Sequence, residues 1–178
     1  SYITNHFHDE PFERSRIVFR KVTRRDDSRT IRVALAPART IHTDASQFLI
    51  FHRGDEKDEA FLLGVLSSIP LDWYARLFIE VNCNFFIFNS LPIPRPERSN
   101  LLWQRVVELS GRLASPDDRY ADWATKVGVE FGPLKNDEKQ EKIYELDALV
   151  AHLYDLSETQ LIHIFETFHD GWDFQPRI

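Results

Sequence analysis

The chain holds 178 residues, of which 43% are apolar and 28% charged, enough to enclose a core without disulfides or metals. No apolar run approaches the roughly 18 residues of a membrane span, and residues 1–5 lack the charged and apolar blocks of a signal peptide. One cysteine, Cys83, excludes a disulfide framework and a multi-cysteine zinc site, and the net charge of −6 argues against a polyanionic partner until its distribution is considered.

In chain order, the first third predicts β structure. Residues 16–22 are β-branched and aromatic with basic edges, and residues 30–37 alternate, Ile31, Val33 and Leu35 opposing Arg32. The polar turn at 24–29 makes them a hairpin with arginines at its tip, and residues 47–51 form a third strand. Residues 58–66 and 70–78 predict helices, with Pro70 suited to a first helical position. Residues 84–88 predict a return to β, and the prolines at 92, 94 and 96 impose an extended segment.

The last third predicts helices. Leu101, Leu102, Val106 and Leu109 share helical spacing, and Ser115-Pro116-Asp117-Asp118 reads as a helix start capped by the serine. Ile143, Leu146, Leu149, Val150 and Leu153 form one stripe over 137–153, and Ser157 with Gln160 predicts a capping box opening a final helix through Phe168. The fold class expected is α+β: a small, mostly antiparallel sheet in the N-terminal half and a helical C-terminal part. The division expected is a mainly β recognition part with two helices over 1–98 and a helical part packed on it over 99–178.

Charge is segregated along the chain. Residues 14–32 carry eight basic side chains against two acidic ones, a net +6, whereas residues 135–178 carry ten acids against four bases. A local basic stripe, not the mean charge, sets the footprint for a polyanion. Guanidinium groups grip phosphates as charge-assisted forks and can read guanine bidentately in the major groove. The alternative is a solvated hairpin whose arginines pair with the acidic C-terminal helices. The outer face of the 143–156 helix is acidic and is expected to face away from DNA, or toward a further domain of the same polypeptide.

Four ordered patches carry a resemblance. They are Phe19-Arg20-Lys21-Val22-Thr23 with Arg29-Thr30 and Ala34-Leu35-Ala36-Pro37; Phe61-Leu62-Leu63-Gly64-Val65-Leu66-Ser67-Ser68 with Trp73-Tyr74-Ala75-Arg76; Asn84-Phe85-Phe86 leading to Leu91-Pro92-Ile93-Pro94; and residues 145–157, from Glu145-Leu146-Asp147 to Asp155-Leu156-Ser157. Together they resemble the C-terminal target recognition domain of type IIG restriction–modification enzymes and related N6-adenine DNA methyltransferases. Where that family usually has glycine before the last Leu-Ser, this chain has Asp155.

The resemblance implies sequence-specific recognition of double-stranded DNA on behalf of an upstream methyltransferase domain of the same polypeptide. S-adenosylmethionine would bind that domain, and this chain would hold no cofactor, no metal and no catalytic residue. The parent would be an adenine-specific DNA methyltransferase with or without endonuclease activity, in a cytoplasmic setting. The methyltransferase signatures, an Asn-Pro-Pro-Tyr-type loop and a glycine-rich cofactor motif, do not occur in the sequence. The sequence also lacks methionine, so a piece of a longer protein is expected. The DNA-binding set expected is Arg20, Lys21, Arg24, Arg25, Arg29, Thr30, Arg32 and Arg76. Arg24, Arg25 and Arg29 are foremost, while Arg20 and Arg32 are open to a structural role.

Other readings are weighed beside this one. A protein-interaction module would dock an acidic partner on the same basic hairpin. Trp73, Arg76, Asn82 and Asn84 could contact bases, or could pack and pair within the fold. Pro116-Asp117 and Asp137-Glu138-Lys139 imitate a magnesium nuclease, but both lie at expected helix starts. His6, His8 and Asp9 form a weak metal pattern near the start of the chain, and Cys83 reads as a buried apolar side chain.

Overall fold

The computed structural model describes residues 11–24, 27–169 and 173–175. The N-terminal half builds an antiparallel sheet from β1 (Arg16–Arg20), β2 (Val33–Ala36) and β3 (Ser46–Phe48), in the order β2-β1-β3. Seven helices follow among the described residues: α1 (Glu56–Leu66), α2 (Ile69–Ala75), α3 (Phe85–Phe88), α4 (Leu101–Ala114), α5 (Ala121–Val127), α6 (Asn136–Leu153) and α7 (Glu158–Phe168). The architecture is α+β.

Alternation in β1 decides which side chains go inward. Ile17 and Phe19 are at most 1% exposed and pack with Leu35 of β2 and with Ala60, Phe61 and Leu63 of α1. Fully burying an apolar side chain of this size contributes about 1.5–3 kcal/mol. The same core continues into Trp103, Val106 and Leu109 of α4, and into Leu146 and Val150 of α6. The sheet and the C-terminal helices therefore share one apolar interior. A smaller cluster joins Ile69 of α2 to Ile164, Phe165 and Phe168 of α7. Gly64 permits a close helix approach: a Cβ there would lie 2.9 Å from Val106 Cγ1 and 3.0 Å from Ser110 Cβ.

Three buried carboxylates latch elements together by accepting backbone N–H groups. Asp147 of α6 accepts from Ile69 at 2.8 Å, satisfying a donor at the first turn of α2. Asp72 of α2 accepts from Ile31 at 2.9 Å and from Thr30 at 3.0 Å. Glu59 of α1 accepts from the Ile17 backbone and, at 2.7 Å, from the Trp123 indole. Each carboxylate is nearly inaccessible to water, so partners within the protein must offset its desolvation.

Local signals account for most element boundaries. The box at Ser157 and Gln160 opens α7 as expected. A second box, Asp55 with Asp58, starts α1. The end of α6 is a Schellman turn: Leu156 N–H donates to Ala151 O and Asp155 N–H to His152 O, both at 3.0 Å. Asp155 takes the left-handed position with φ 52°.

Three expectations need correction. Residues 84–88 are not a strand, because the Asn84 side chain accepts from Ile87 N–H at 3.0 Å and caps α3. That turn lays the Phe88 ring on Phe19 with centroids 4.2 Å apart. Ser115 is not the cap of the following segment; it is fully buried, and Asp117 accepts from Arg119 N–H to start a 3-10 turn at Asp118–Tyr120. β1 and β2 pair antiparallel as the expected hairpin does, but both strands stop short, so the turn at 24–29 widens to a twelve-residue connection, 21–32. Thr23 and Thr30 are fully buried within it, and Thr23 donates its hydroxyl to Thr30 O at 2.8 Å.

Candidate nucleic-acid interface

The β1–β2 connection carries most of the expected DNA-binding set. It leaves the sheet at Arg20, pairs with the segment before α3, and returns over α2. Cys83 N–H donates to Lys21 O at 2.8 Å, and Thr23 N–H to Val81 O at 2.9 Å. On the return side, Asp72 fixes the Thr30 and Ile31 backbone from below. The connection is thus anchored at both ends by hydrogen bonds, those to Asp72 being buried.

Three of the expected residues are tied to the protein. Thr30 is fully buried. The Arg29 guanidinium donates to Ser67 O and stands 3.7 Å from Asp72. Arg76 lies over the Phe168 ring at 3.7 Å and donates to Phe168 O at 2.6 Å and Asp27 O at 2.8 Å. It staples α2, the connection and α7 together.

Four others face solvent. Arg20 and Arg32 approach one carboxylate, Asp27, at 3.8 and 3.5 Å. Lys21 pairs with the exposed Asp44 at 2.6 Å. Arg24 is exposed and makes no ion pair among the described residues. Arg25 lies outside the described residues. Among the described residues, none of Arg20, Lys21, Arg24, Arg29 and Arg32 pairs with a carboxylate of α6 or α7; the acids they meet are Asp27, Asp44 and Asp72. Exposed pairs of this kind are worth about 0–1 kcal/mol, so a phosphate can displace them.

The electrostatics under the connection are set by Asp72. Burial raises its carboxyl above the usual range, opposed by Arg29, by the Thr30 and Ile31 amides and by Arg76. Cys83 packs in the apolar core, and burial, with Asp72, pushes its thiol up to about 11. Asp72 and Asp27 were missed by reasoning from charge alone. An acid inside the otherwise apolar Ile69–Ala75 run was the available signal for the first.

The remaining candidates take ordinary structural places. The Trp73 indole donates to Thr167 Oγ at 2.9 Å, Asn84 caps α3, and Asn82 forms an isolated β-bridge with Val22. Asp117 is held by Arg119 at 2.8 Å, which keeps its carboxyl below the usual range, and Glu138 pairs with Lys142 at 3.5 Å. His6, His8 and Asp9 lie outside the described residues. Among the described residues no group of three His, Cys, Asp or Glu side chains is placed to hold a metal ion, and no helix is long and apolar enough to cross a membrane. No protein-family model, curated protein or solved structure matches this chain.

Proposed function

We propose that the chain binds double-stranded DNA through the outward cations of the β1–β2 connection. It would act as the target recognition domain of a restriction–modification N6-adenine methyltransferase. One observation carries the reading: two guanidiniums, Arg20 and Arg32, share the single carboxylate of Asp27 on a backbone anchored by buried Asp72. The surplus positive charge is held in place and stays solvated, as phosphate gripping requires. Arg24 and Lys21 extend the same surface. Arg29, Thr30 and Arg76 hold its shape.

The methyltransferase domain expected in the same polypeptide would carry S-adenosylmethionine and the chemistry. This chain would supply position and sequence choice. The test is a salt titration against a mixed-sequence duplex. Affinity should fall linearly in log–log form, with a slope near −0.9 per phosphate contacted. No binding at about 50 mM salt would remove the reading.

A second reading is favoured by a different feature. Val22, Leu77, Phe78 and Val81 are 49–64% exposed beside the connection. Such an apolar set with a cationic rim fits a protein partner bearing acidic residues around an apolar patch. Binding to that kind of partner would depend on these side chains and only weakly on salt.

A further inference from the structure

We infer that a second surface, an aromatic groove between β3 and the segment after α3, binds a single nucleotide unit with its base unstacked. The groove encloses about 610 Å³, within the size range of small-ligand sites. Phe48, Phe51, Phe85 and Phe88 line it together with Arg53 and Arg95. No carboxylate lines it among the described residues; the remaining ionisable side chain is His52. Neither Arg53 nor Arg95 pairs with an acid among the described residues, and both are exposed.

The walls are set before any ligand arrives. Phe88 stacks on Phe19, Phe85 meets the same ring edge-on at 5.3 Å, and the Arg16 guanidinium lies 4.9 Å from the Phe48 ring centre. Arg95 sits between Pro94 and Pro96, which limit its backbone. The same segment is tied to α6 by the Tyr154 hydroxyl, which donates to Pro92 O at 2.7 Å. Flat rings accept any base face, and two unpaired guanidiniums await phosphate. An acidic peptide is the poorer match. β3 offers only three residues for strand addition, and acidic side chains gain nothing from stacking.

This site shares no residue with the basic connection, so its fate is separate from that of the duplex reading. The probe is a single strand of about ten nucleotides carrying a central 2-aminopurine. It would be titrated with the 178-residue chain at low salt and followed by fluorescence and anisotropy. Quenching on binding is expected. Affinity should fall about tenfold or more in R53Q/R95Q, and quenching should weaken in Phe85→Leu. Competition by a free nucleoside monophosphate would assign the site to free nucleotides, and its absence to a strand; both uphold the inference. Four results overturn it: no binding by the wild type, equal affinity for an abasic strand, unchanged affinity in R53Q/R95Q with a wild-type melt, or tighter binding of a glutamate-rich peptide. Loss of strand binding in Arg24→Gln but not in R53Q/R95Q would return the activity to the connection and also overturn it.

Discussion

The Asp72 carboxylate stands 3.7 Å from the Arg29 guanidinium and accepts the backbone N–H groups of the two residues that follow it, Thr30 and Ile31. One helix side chain thereby fixes the return path of the arginine-bearing connection. Asp72→Ala leaves two buried donors unsatisfied and should cost about 2–6 kcal/mol, because each orphaned group costs about 1–3 kcal/mol. Asp72→Asn keeps one acceptor oxygen and should lose less. Urea denaturation of the two variants measures the difference, and equal losses would show that the anchoring contact is not what stabilises the connection.

Among the described residues, the Arg24 side chain has no ion-pair partner to lose. Arg24→Gln should therefore leave stability within about 0.5 kcal/mol of wild type. If the guanidinium meets a phosphate, the salt slope of duplex binding should shrink by about 0.9. A thermal melt and an anisotropy titration at several salt concentrations check both halves. An unchanged slope would remove Arg24 from the interface.

Glu59 makes stability depend on pH. Burial outweighs its bonds to Trp123 and Ile17 and raises its carboxyl above the ordinary 4.5. Between 4.5 and the folded value, the unfolded chain has lost this proton while the folded chain keeps it. The folded state then binds more protons, so stability falls as pH rises through that window and levels off above it. Glu59→Gln removes this contribution. Melting curves across the window should decline less steeply in the variant, and parallel declines would count against the assignment. The lowered carboxyls of Asp55 and Glu145 act with the opposite sign and cancel in the comparison.

Asp155 occupies the left-handed position of the turn between α6 and α7. An L-residue pays a steric cost there that glycine avoids. Asp155→Gly should stabilise the chain by about 0.5–1 kcal/mol, read as a higher midpoint in urea with the same m-value. A lower midpoint would mean that the aspartate side chain contributes more than the backbone strain removes.

Gly64 should be intolerant of any side chain. The added Cβ of Gly64→Ala would crowd Val106, Ser110 and Leu146, from two neighbouring helices. Overpacking of a close interface costs about 1–3 kcal/mol. Chemical denaturation of the variant tests this, and a neutral result would show that α4 can shift away from α1.

The local code of this chain was readable in its residues. Alternation over 30–37 placed Ile31 and Leu35 inward, and helical spacing put Leu146 and Val150 on the buried stripe of α6. The Ser157–Gln160 box marked the start of α7. These features depend on neighbours a few positions away, where periodicity and capping act. What an isolated stretch could not reveal was which arginine side chains are engaged. Arg29 is drawn to Asp72, 43 positions later, and Arg76 to the Phe168 carbonyl, 92 positions later, while Arg24 is left in water. Asn84 shows the same limit at short range, since an aromatic run reads as strand until Phe88 is seen stacked on Phe19. Charge and polarity are written locally, but burial and pairing are settled by contacts between distant segments, and only the folded chain determines those.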